Sequence, residues 1–496
     1  MFRTRVALIR LVPFFALTVL SAAVAVPIPA GAATPDAAAP DARITWSSCD
    51  AFECGTLQVP LDYQAPEAPT IELAVVRRPA DDPAKRIGAL VVNPGGPGAP
   101  AVSFLRAVAS SYPRPLRERF DLVAFDPRGV GKSSPVRCST SLDPLFDQSF
   151  SPRTDAEREA LIDAARTVAS ECMARSGPVL EHVSTQNTAR DLERLRVALK
   201  ERRINFLGSS YGSYLGAVYI TFFPDRVRAF VLDGAIDPEQ TAAEATVGQA
   251  KGFENELNAF FVDCDKRPEC AFRSDRNGGS AAAYDALRSR SARAPLTAKD
   301  SGGRRLNETR FDAAVLETLY AGRDGWRSLA AALATADGGD ASALLRQADA
   351  FTWRRADGTH DHVLDAFWAI SCLDGPVPDQ LGPLLLERLA ALSAPRLGAF
   401  VANTSVICSV WPVPPVPPPP SLTAVGAPTV LIVGATKDPA TPLAAGREMR
   451  RELGNARLLS VEADRHTSFN AGNECVDDAV TGYLVDRRLP RPGTRC

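Results

Sequence analysis

The fold is decided by residues 204–212, which read Ile-Asn-Phe-Leu-Gly-Ser-Ser-Tyr-Gly. The first four residues predict a short strand, and the pattern over 211–223 predicts a helix. The last five residues match the motif G-x-S-x-G, in the strand-turn-helix context that this motif requires. Gly208 and Gly212 supply the small residues that a tight turn needs on either side. We therefore expect Ser210 to be an exposed nucleophile.

Apolar runs recur on both sides of this motif. They lie at 71–76, 89–92, 120–125, 227–232, 429–433 and 457–461. Helical patterns separate many of them, and such alternation is typical of a parallel sheet covered on both faces. The sequence therefore predicts an α/β fold, with a mostly parallel, doubly wound sheet. From about 238 to 400 we find helical patterns and no convincing strand, which predicts a helical cap inserted into the sheet.

These patterns divide the chain into four predicted parts. They are a signal peptide at 1–32, a first core segment at 43–237, the helical cap at 238–400 and a C-terminal core segment at 401–496. The first part has three arginines, then an apolar run over 11–26 and the small residues Ala30-Gly31-Ala32, as in secretory signals. A membrane anchor is the alternative, but the run is short for a span and two prolines follow it. We expect an exported, extracellular protein with no membrane span after processing.

The charge and the cysteines restrict the partners and the cofactors. The net charge is −2, so nothing favours binding to nucleic acid. Ten cysteines in an exported chain predict disulfides, although sequence alone does not choose the pairing. Our working choice joins neighbours along the chain: Cys49-Cys54, Cys138-Cys172, Cys264-Cys270, Cys372-Cys408 and Cys475-Cys496. A zinc site at Cys264 and Cys270 is disfavoured because no histidine lies near them. We expect neither a metal nor a cofactor.

A nucleophilic serine needs a base and an acid, which follow it along the chain in this kind of fold. Of the four histidines, His182 precedes the serine, and His360 and His362 lie among helical patterns. His466 follows the last predicted strand and is the candidate base. Asp438 follows the strand at 429–433, at the sheet edge where active-site loops gather, and is the candidate acid.

The intermediate of acyl transfer also needs two donors for its oxyanion. One candidate is the backbone N–H of Tyr211, which follows the nucleophile. The other comes from the glycine-rich loop Asn93-Pro94-Gly95-Gly96-Pro97-Gly98, where we choose Gly95 over Gly96. Glycines let the backbone approach a substrate closely.

Further motifs in the same chain order carry a family resemblance. They are Trp46-x-x-Cys49, Val59-Pro60-Leu61-Asp62-Tyr63, Phe125-Asp126-Pro127-Arg128-Gly129-Val130-Gly131, Cys372-Leu373-Asp374, Cys408-x-x-Trp411-Pro412 and Asp438-Pro439-Ala440-Thr441-Pro442. With the glycine-rich loop and the serine motif, they resemble the secreted actinobacterial aminopeptidases of the α/β-hydrolase fold, relatives of tripeptidyl aminopeptidase and prolyl iminopeptidase. The resemblance implies Ser210, Asp438 and His466 as a catalytic triad. One departure is Arg465, where that family usually has glycine.

The resemblance also implies peptide substrates with a free N-terminus. Binding the substrate ammonium requires an acidic group, and Asp374 is our candidate because Cys372 holds its backbone. Release of tripeptides is the expected activity, although no pattern in the chain specifies the length of the released unit. An esterase or lipase would share the same triad, and a non-catalytic surface-binding relative is the remaining alternative. The oligomeric state is left open.

Overall fold

The computed structural model describes residues 42–65, 67, 69–275, 277–375, 382–419 and 421–496. The signal peptide predicted at 1–32 lies outside the described residues. These described residues belong to one compact unit. None of the described helices has the length and apolar character needed to cross a bilayer.

Among the described residues, nine strands belong to one large sheet: β1 Ser47–Cys49, β2 Phe52–Pro60, β3 Thr70–Arg78, β4 Gly88–Asn93, β5 Phe120–Phe125, β6 Ile204–Ser209, β7 Val227–Asp233, β10 Val430–Ala435 and β11 Ala456–Val461. Their order in the sheet is β1-β2-β3-β5-β4-β6-β7-β10-β11. β8 Leu296–Thr297 and β9 Arg305–Leu306 make a separate short hairpin. In the large sheet, β1 with β2, β2 with β3 and β3 with β5 pair antiparallel. The remaining pairs of this sheet are parallel. The predicted doubly wound, mostly parallel sheet is confirmed.

Six helices accompany the sheet: α1 Ala101–Val108, α2 Arg114–Arg119, α5 Thr185–Ala198, α6 Tyr211–Phe222, α15 Leu443–Leu453 and α16 Glu474–Asp486. Side chains alternate across each strand, so neighbouring residues enter opposite layers. In β4, Val91 packs in the layer that contains α5, α6 and α15, whereas Val92 packs in the layer that contains α1, α2 and α16. Both faces of the sheet are therefore covered, which explains its continuously apolar strands.

The other helices form a separate apolar cluster. They are α3 Asp143–Phe146, α4 Asp155–Ser176, α7 Ala242–Lys266, α8 Gly279–Arg293, α9 Glu308–Tyr320, α10 Trp326–Asp337, α11 Ser342–Thr352, α12 Val363–Asp374, α13 Gly382–Ser393 and α14 Gly398–Asn403. Two features differ from the sequence analysis. The hairpin of β8 and β9 lies within 238–400, where we expected no strand, and α3 and α4 pack with this helical cluster although they precede residue 237.

Contacts between distant segments hold α4 and the loop before it in the cluster. The ring of Phe150 lies 5.6 Å from that of Phe400, and Arg158 pairs with Glu387 at 2.7 Å. Asn403 Nδ2 donates to the carbonyl of Phe150 at 3.0 Å. This cluster of α3, α4 and α7 to α14, the helical body, therefore combines residues that precede β6 with residues that follow β7.

Five disulfides join cysteines that are neighbours along the chain. They are Cys49–Cys54, Cys138–Cys172, Cys264–Cys270, Cys372–Cys408 and Cys475–Cys496. Two of them close longer loops in the helical body, from residue 138 to 172 and from 372 to 408. Closing such loops restricts the unfolded chain, and this contributes stability on the order of 2–4 kcal/mol for each bond.

A buried ion pair anchors the loop that follows β5. Arg128 and Asp191 are both fully buried, and two parallel hydrogen bonds of 2.7 Å join them. Arg128 also donates to the carbonyls of Pro60, Leu61 and His182, at 2.8–3.0 Å. This guanidinium therefore connects β2, the loop after β5, the segment before α5 and the middle of α5.

Replacing Asp191 with alanine should lower the free energy of unfolding by ~3–5 kcal/mol, because Arg128 would stay buried without its counter-charge. Denaturant unfolding of the disulfide-intact protein measures the change. The matched control is Asp163→Ala, which removes the partner of Arg166 from a pair whose side chains are 71% and 56% exposed. The control should lose less than ~1 kcal/mol. Equal losses in the two variants would contradict the assigned role of Arg128.

Candidate functional site: a serine, an acid and a histidine in one cavity

Ser210 occupies a tight turn between β6 and α6. Its backbone has φ +55° and ψ −124°, a left-handed conformation that is rare for residues other than glycine. A Cβ added to Gly208 would lie 2.2 Å from the carbonyl oxygen of Gly212, and one added to Gly212 would lie 2.8 Å from that of Asn93. The two glycines are therefore needed for close backbone contact, as the motif predicts.

Asp438 and His466 come from different loops at the same end of the sheet. Asp438 follows β10 and His466 follows β11, and the two carboxylate oxygens lie 2.9 and 3.0 Å from His466 Nδ1. Asp438 also accepts hydrogen bonds from the amides of Ala440 and Thr441 and from the Thr441 hydroxyl, at 2.8–2.9 Å. These bonds fix the carboxylate in the orientation that holds the imidazole.

Electrostatics at His466 favour its charged form. Burial lowers the pKa of the imidazole, but the charge of Asp438 and the hydrogen bond to it raise the pKa, as does the charge of Asp233. The net result is a pKa above the ordinary value of 6.5. An imidazole in this setting readily accepts a proton from a neighbouring group.

The three residues lie on the wall of one cavity of about 800 Å³. The sheet side of the wall includes Ser210, Asp438 and His466, and most of the remainder comes from the helical body. A cavity of this size encloses a ligand of several residues, since small-molecule sites span roughly 300–1,000 Å³. The structure thus brings the three predicted residues together at a site that can hold a substrate.

The glycine-rich loop differs in detail from our expectation. The amide of Gly95 donates to the side chain of Asn93 at 2.9 Å, and Gly95 is buried outside the cavity lining. Gly96 is exposed and lines the cavity. A Cβ on Gly95 would lie 3.0 Å from the amide nitrogen of Tyr211, so this loop runs directly beside the turn. The N–H of Gly95 is thus already paired with Asn93, and Gly96 is the alternative that faces the cavity.

Asp374 also has a different place from the one we expected. It lies at the end of α12, away from the cavity lining, and accepts hydrogen bonds from the Thr185 amide at 3.0 Å and the Thr185 hydroxyl at 2.5 Å. The Thr185 hydroxyl in turn bonds to that of Tyr211. Asp374 therefore joins α12 to the start of α5 and does not line the cavity, where we expected it to bind the substrate.

Three other carboxylates line the cavity: Asp237, Glu256 and Glu317. Glu256 accepts a hydrogen bond from Trp326 Nε1 at 2.7 Å, and burial raises its pKa to about 7. Burial also raises the pKa of Glu317. Among the described residues, none forms a hydrogen bond or ion pair with the Glu317 side chain. The sequence analysis missed Glu317, and the apolar helical pattern at 311–320 does not single it out, because Asp312 lies in the same stretch.

The loop that carries His466 is held from the sheet. Asp233, at the end of β7, accepts hydrogen bonds from the amides of Ser468 and Phe469, each at 2.8 Å. Burial raises the pKa of Asp233 to about 6. The carbonyl of Asp233 meanwhile accepts the Ser210 amide at 2.8 Å. One residue thus binds both the turn of Ser210 and the loop of His466.

The helical body holds the same loop from the other side. The carbonyl of Asp464 accepts the Arg323 amide at 3.0 Å, and a Cβ on Gly322 would lie 1.8 Å from that carbonyl oxygen. Arg465, the departure noted above, bonds to the Ala471 carbonyl at 3.1 Å and pairs with Asp324 at 3.2 Å. The residue next to His466 therefore ties its own loop to the turn between α9 and α10.

Metal-ligating residues do not cluster in groups of three or more anywhere in the described ranges.

The fold and the cavity define a serine hydrolase of the α/β-hydrolase class. A sequence profile described as TAP-like protein matches residues 394–496. The chain is 34% identical to serine protease Hip1 of Mycobacterium tuberculosis, covering 89% of this chain and 87% of that protein. It belongs to the tripeptidyl aminopeptidase-like family of α/β-hydrolase serine peptidases.

Two other relatives align with this chain over a similar share of their length. Tripeptidyl aminopeptidase of Streptomyces lividans is 30% identical, over 94% of this chain and 89% of its own length. Carboxylesterase B of Mycobacterium tuberculosis is 36% identical, over 94% and 92%. Names within this set of relatives therefore include both peptidases and an esterase.

Replacing Gly322 with alanine should lower kcat/KM by ~10–100-fold, because the new methyl group would push the Asp464 backbone and displace His466. Hydrolysis of a chromogenic substrate measures the effect. Gly339 is the matched control, since it also has positive φ in the helical body but no heavy atom within 4 Å of an added Cβ. Gly339→Ala should keep full activity. Similar activity in both variants would show that the turn before α10 does not position His466.

Proposed function

We propose that the protein is an exported exopeptidase that releases short units, principally tripeptides, from peptides with a free N-terminus. In this proposal Ser210, His466 and Asp438 form the catalytic triad, and residues 238–400 act as the cap over it. The observation that carries the proposal is the Asp438 carboxylate on His466 Nδ1, in the cavity that Ser210 lines. Export rests on the pattern at 1–32 and agrees with five disulfides.

The proposed triad accounts for each step of acyl transfer. The hydrogen bond from Nδ1 to Asp438 holds the tautomer whose Nε2 accepts the Ser210 proton as Oγ attacks the scissile carbonyl. The imidazolium then gives this proton to the leaving amine, and the peptide C–N bond breaks. A water molecule repeats the attack on the acyl-enzyme, with His466 again as base, which releases the peptide acid and restores Ser210.

Two backbone amides can stabilise the oxyanion. The Tyr211 amide begins α6, where the partial positive charge of the helix N-terminus favours an anion. We assign the second donor to Gly96, because it lies in the cavity lining beside this turn. Removing one such donor typically costs ~100–1,000-fold in turnover.

Glu317 is the group that we assign to the substrate ammonium. Glu317 is half-buried in the cavity wall, and burial raises the pKa of its carboxyl group. A bound ammonium would supply a counter-charge and favour the ionised carboxylate. Glu256, on the neighbouring α7, adds a second negative charge when it is ionised.

An esterase is the second candidate function, because a relative of 36% identity is named a carboxylesterase and much of the cavity wall is apolar. An ester substrate needs no ammonium subsite. A blocked N-terminus would therefore leave its hydrolysis unchanged.

Ser210→Ala should abolish turnover and change the free energy of unfolding by less than ~1 kcal/mol, since it removes one hydroxyl from a turn. A serine-directed phosphonate should label the wild-type protein at Ser210, as mapped by peptide mass spectrometry. Ser209→Ala is the matched control and should still be labelled. Labelling at any other serine would overturn the assignment of the nucleophile.

Acetylating the N-terminus of a peptide substrate should lower kcat/KM by ~100-fold, the scale of one lost charge-assisted contact. Glu317→Gln should remove most of this preference for the free amine, whereas Asp374→Asn should preserve it. Mass spectrometry of the products from paired free and acetylated peptides gives both the ratio and the length of the released unit. Equal rates on the two peptides, or cleavage mainly at internal bonds, would exclude the exopeptidase.

A further inference from the structure

Six aromatic side chains form one part of the cavity wall. This aromatic wall consists of Phe146, Phe150, Phe351, Trp353, Phe367 and Trp368. Phe146 and Phe150 stack with ring centres 5.3 Å apart, and Trp368 Nε1 donates to the carbonyl of Thr404 at 3.0 Å. The wall is therefore packed into the helical body and presents a large apolar surface to the cavity.

Trp353 differs from the rest of the wall because it is 44% exposed. A side chain that both lines the cavity and faces solvent lies where the cavity opens. Its backbone has φ +54° and ψ +37°, the left-handed conformation that ends α11. Glycine is the usual residue in this position. Gly177 and Gly454 indeed follow α4 and α15 at positive φ.

The segment around Trp353 is firmly held. The Trp353 amide donates to the Ala350 carbonyl at 3.1 Å, and the Trp353 carbonyl accepts the Asp361 amide at 2.9 Å. The next residue, Arg354, pairs with Asp143 at 3.0 Å. The backbone that carries this exposed indole is thus held in one conformation at the cavity mouth. Local strain of this kind is concentrated at functional sites.

We propose that Trp353 is a specificity-determining residue that packs against a large apolar side chain in the unit released by Ser210. The preferred substrates are then peptides whose first residues are bulky and apolar, with the ammonium at Glu317 and the side chain on the aromatic wall. This inference rests on the proposed function, since it assigns side-chain specificity to the same cavity. An aromatic edge at the opening excludes water from such a side chain.

The first experiment compares Trp353→Ala with wild type on two peptide series that differ only in the released unit, which carries either alanine or a large apolar residue. The variant should lose ~10-fold or more in kcat/KM on the bulky series, the scale of a poorly filled apolar pocket. It should lose less than ~3-fold on the alanine series. Equal loss on both series would overturn the proposal.

A second variant separates specificity from a structural role. Trp353→Gly should keep or raise the melting temperature, because glycine adopts positive φ without strain, and should still lose the preference for bulky residues. Arg487→Gly is the matched control: Arg487 ends α16 at φ +57° and is exposed. That control should show the same thermal effect with unchanged specificity. A lower melting temperature for Trp353→Gly, with equal loss on all substrates, would assign the indole to stability alone.

Amino-acid esters with the same side chains distinguish failure of this inference from failure of the proposed function. If wild type cleaves esters but no peptide, the exopeptidase proposal fails, and the esters then measure the side-chain preference. If wild type cleaves peptides but Trp353→Ala does not change the preference, this inference fails alone.

Discussion

The backbone of Ser210, held at φ +55° between β6 and α6, is the constraint on which the surrounding loops depend. A turn this tight leaves no room for a Cβ at Gly208 or Gly212, so neighbouring strands approach it through their backbones. At the end of β7, the carbonyl of Asp233 accepts a hydrogen bond from the Ser210 amide. The loop after β4 passes beside the amide of Tyr211. The loops of three adjacent strands therefore take their relative positions from this one turn.

The loop of His466 depends on both halves of the structure. Asp233 binds it from the sheet, and the turn between α9 and α10 binds it from the helical body through the Asp464 carbonyl. Arg465 adds an ion pair with Asp324 on the same turn. The helical body therefore does more than cover the cavity, because its contacts also determine where the imidazole lies. The arginine that departs from the family pattern has a structural role in this contact.

Much of the fold could be predicted because the signal in each strand is local. The mostly apolar stretches 120–125 and 204–207 coincide with β5 and β6, since strands buried on both faces are rich in apolar residues. The grouping of α4 with the helical body could not be predicted. Its partners, such as Glu387, lie more than 200 residues away, and no local pattern records a contact of that separation. The two-residue strands β8 and β9 are too short to show any period.

The sequence by itself determined the turn around Ser210 and the order in which an acid and a histidine follow it, because these features depend on short motifs and on strand ends. Only the tertiary structure decided which other groups face the cavity. Gly95 and Gly96 are adjacent and chemically identical, yet the Gly95 N–H is hydrogen-bonded to Asn93, whereas Gly96 lines the cavity. Asp374 and Glu317 are both acids in helices, but Asp374 is hydrogen-bonded to Thr185, whereas Glu317 lines the cavity. Such choices depend on the packing of distant helices, which composition and spacing do not encode.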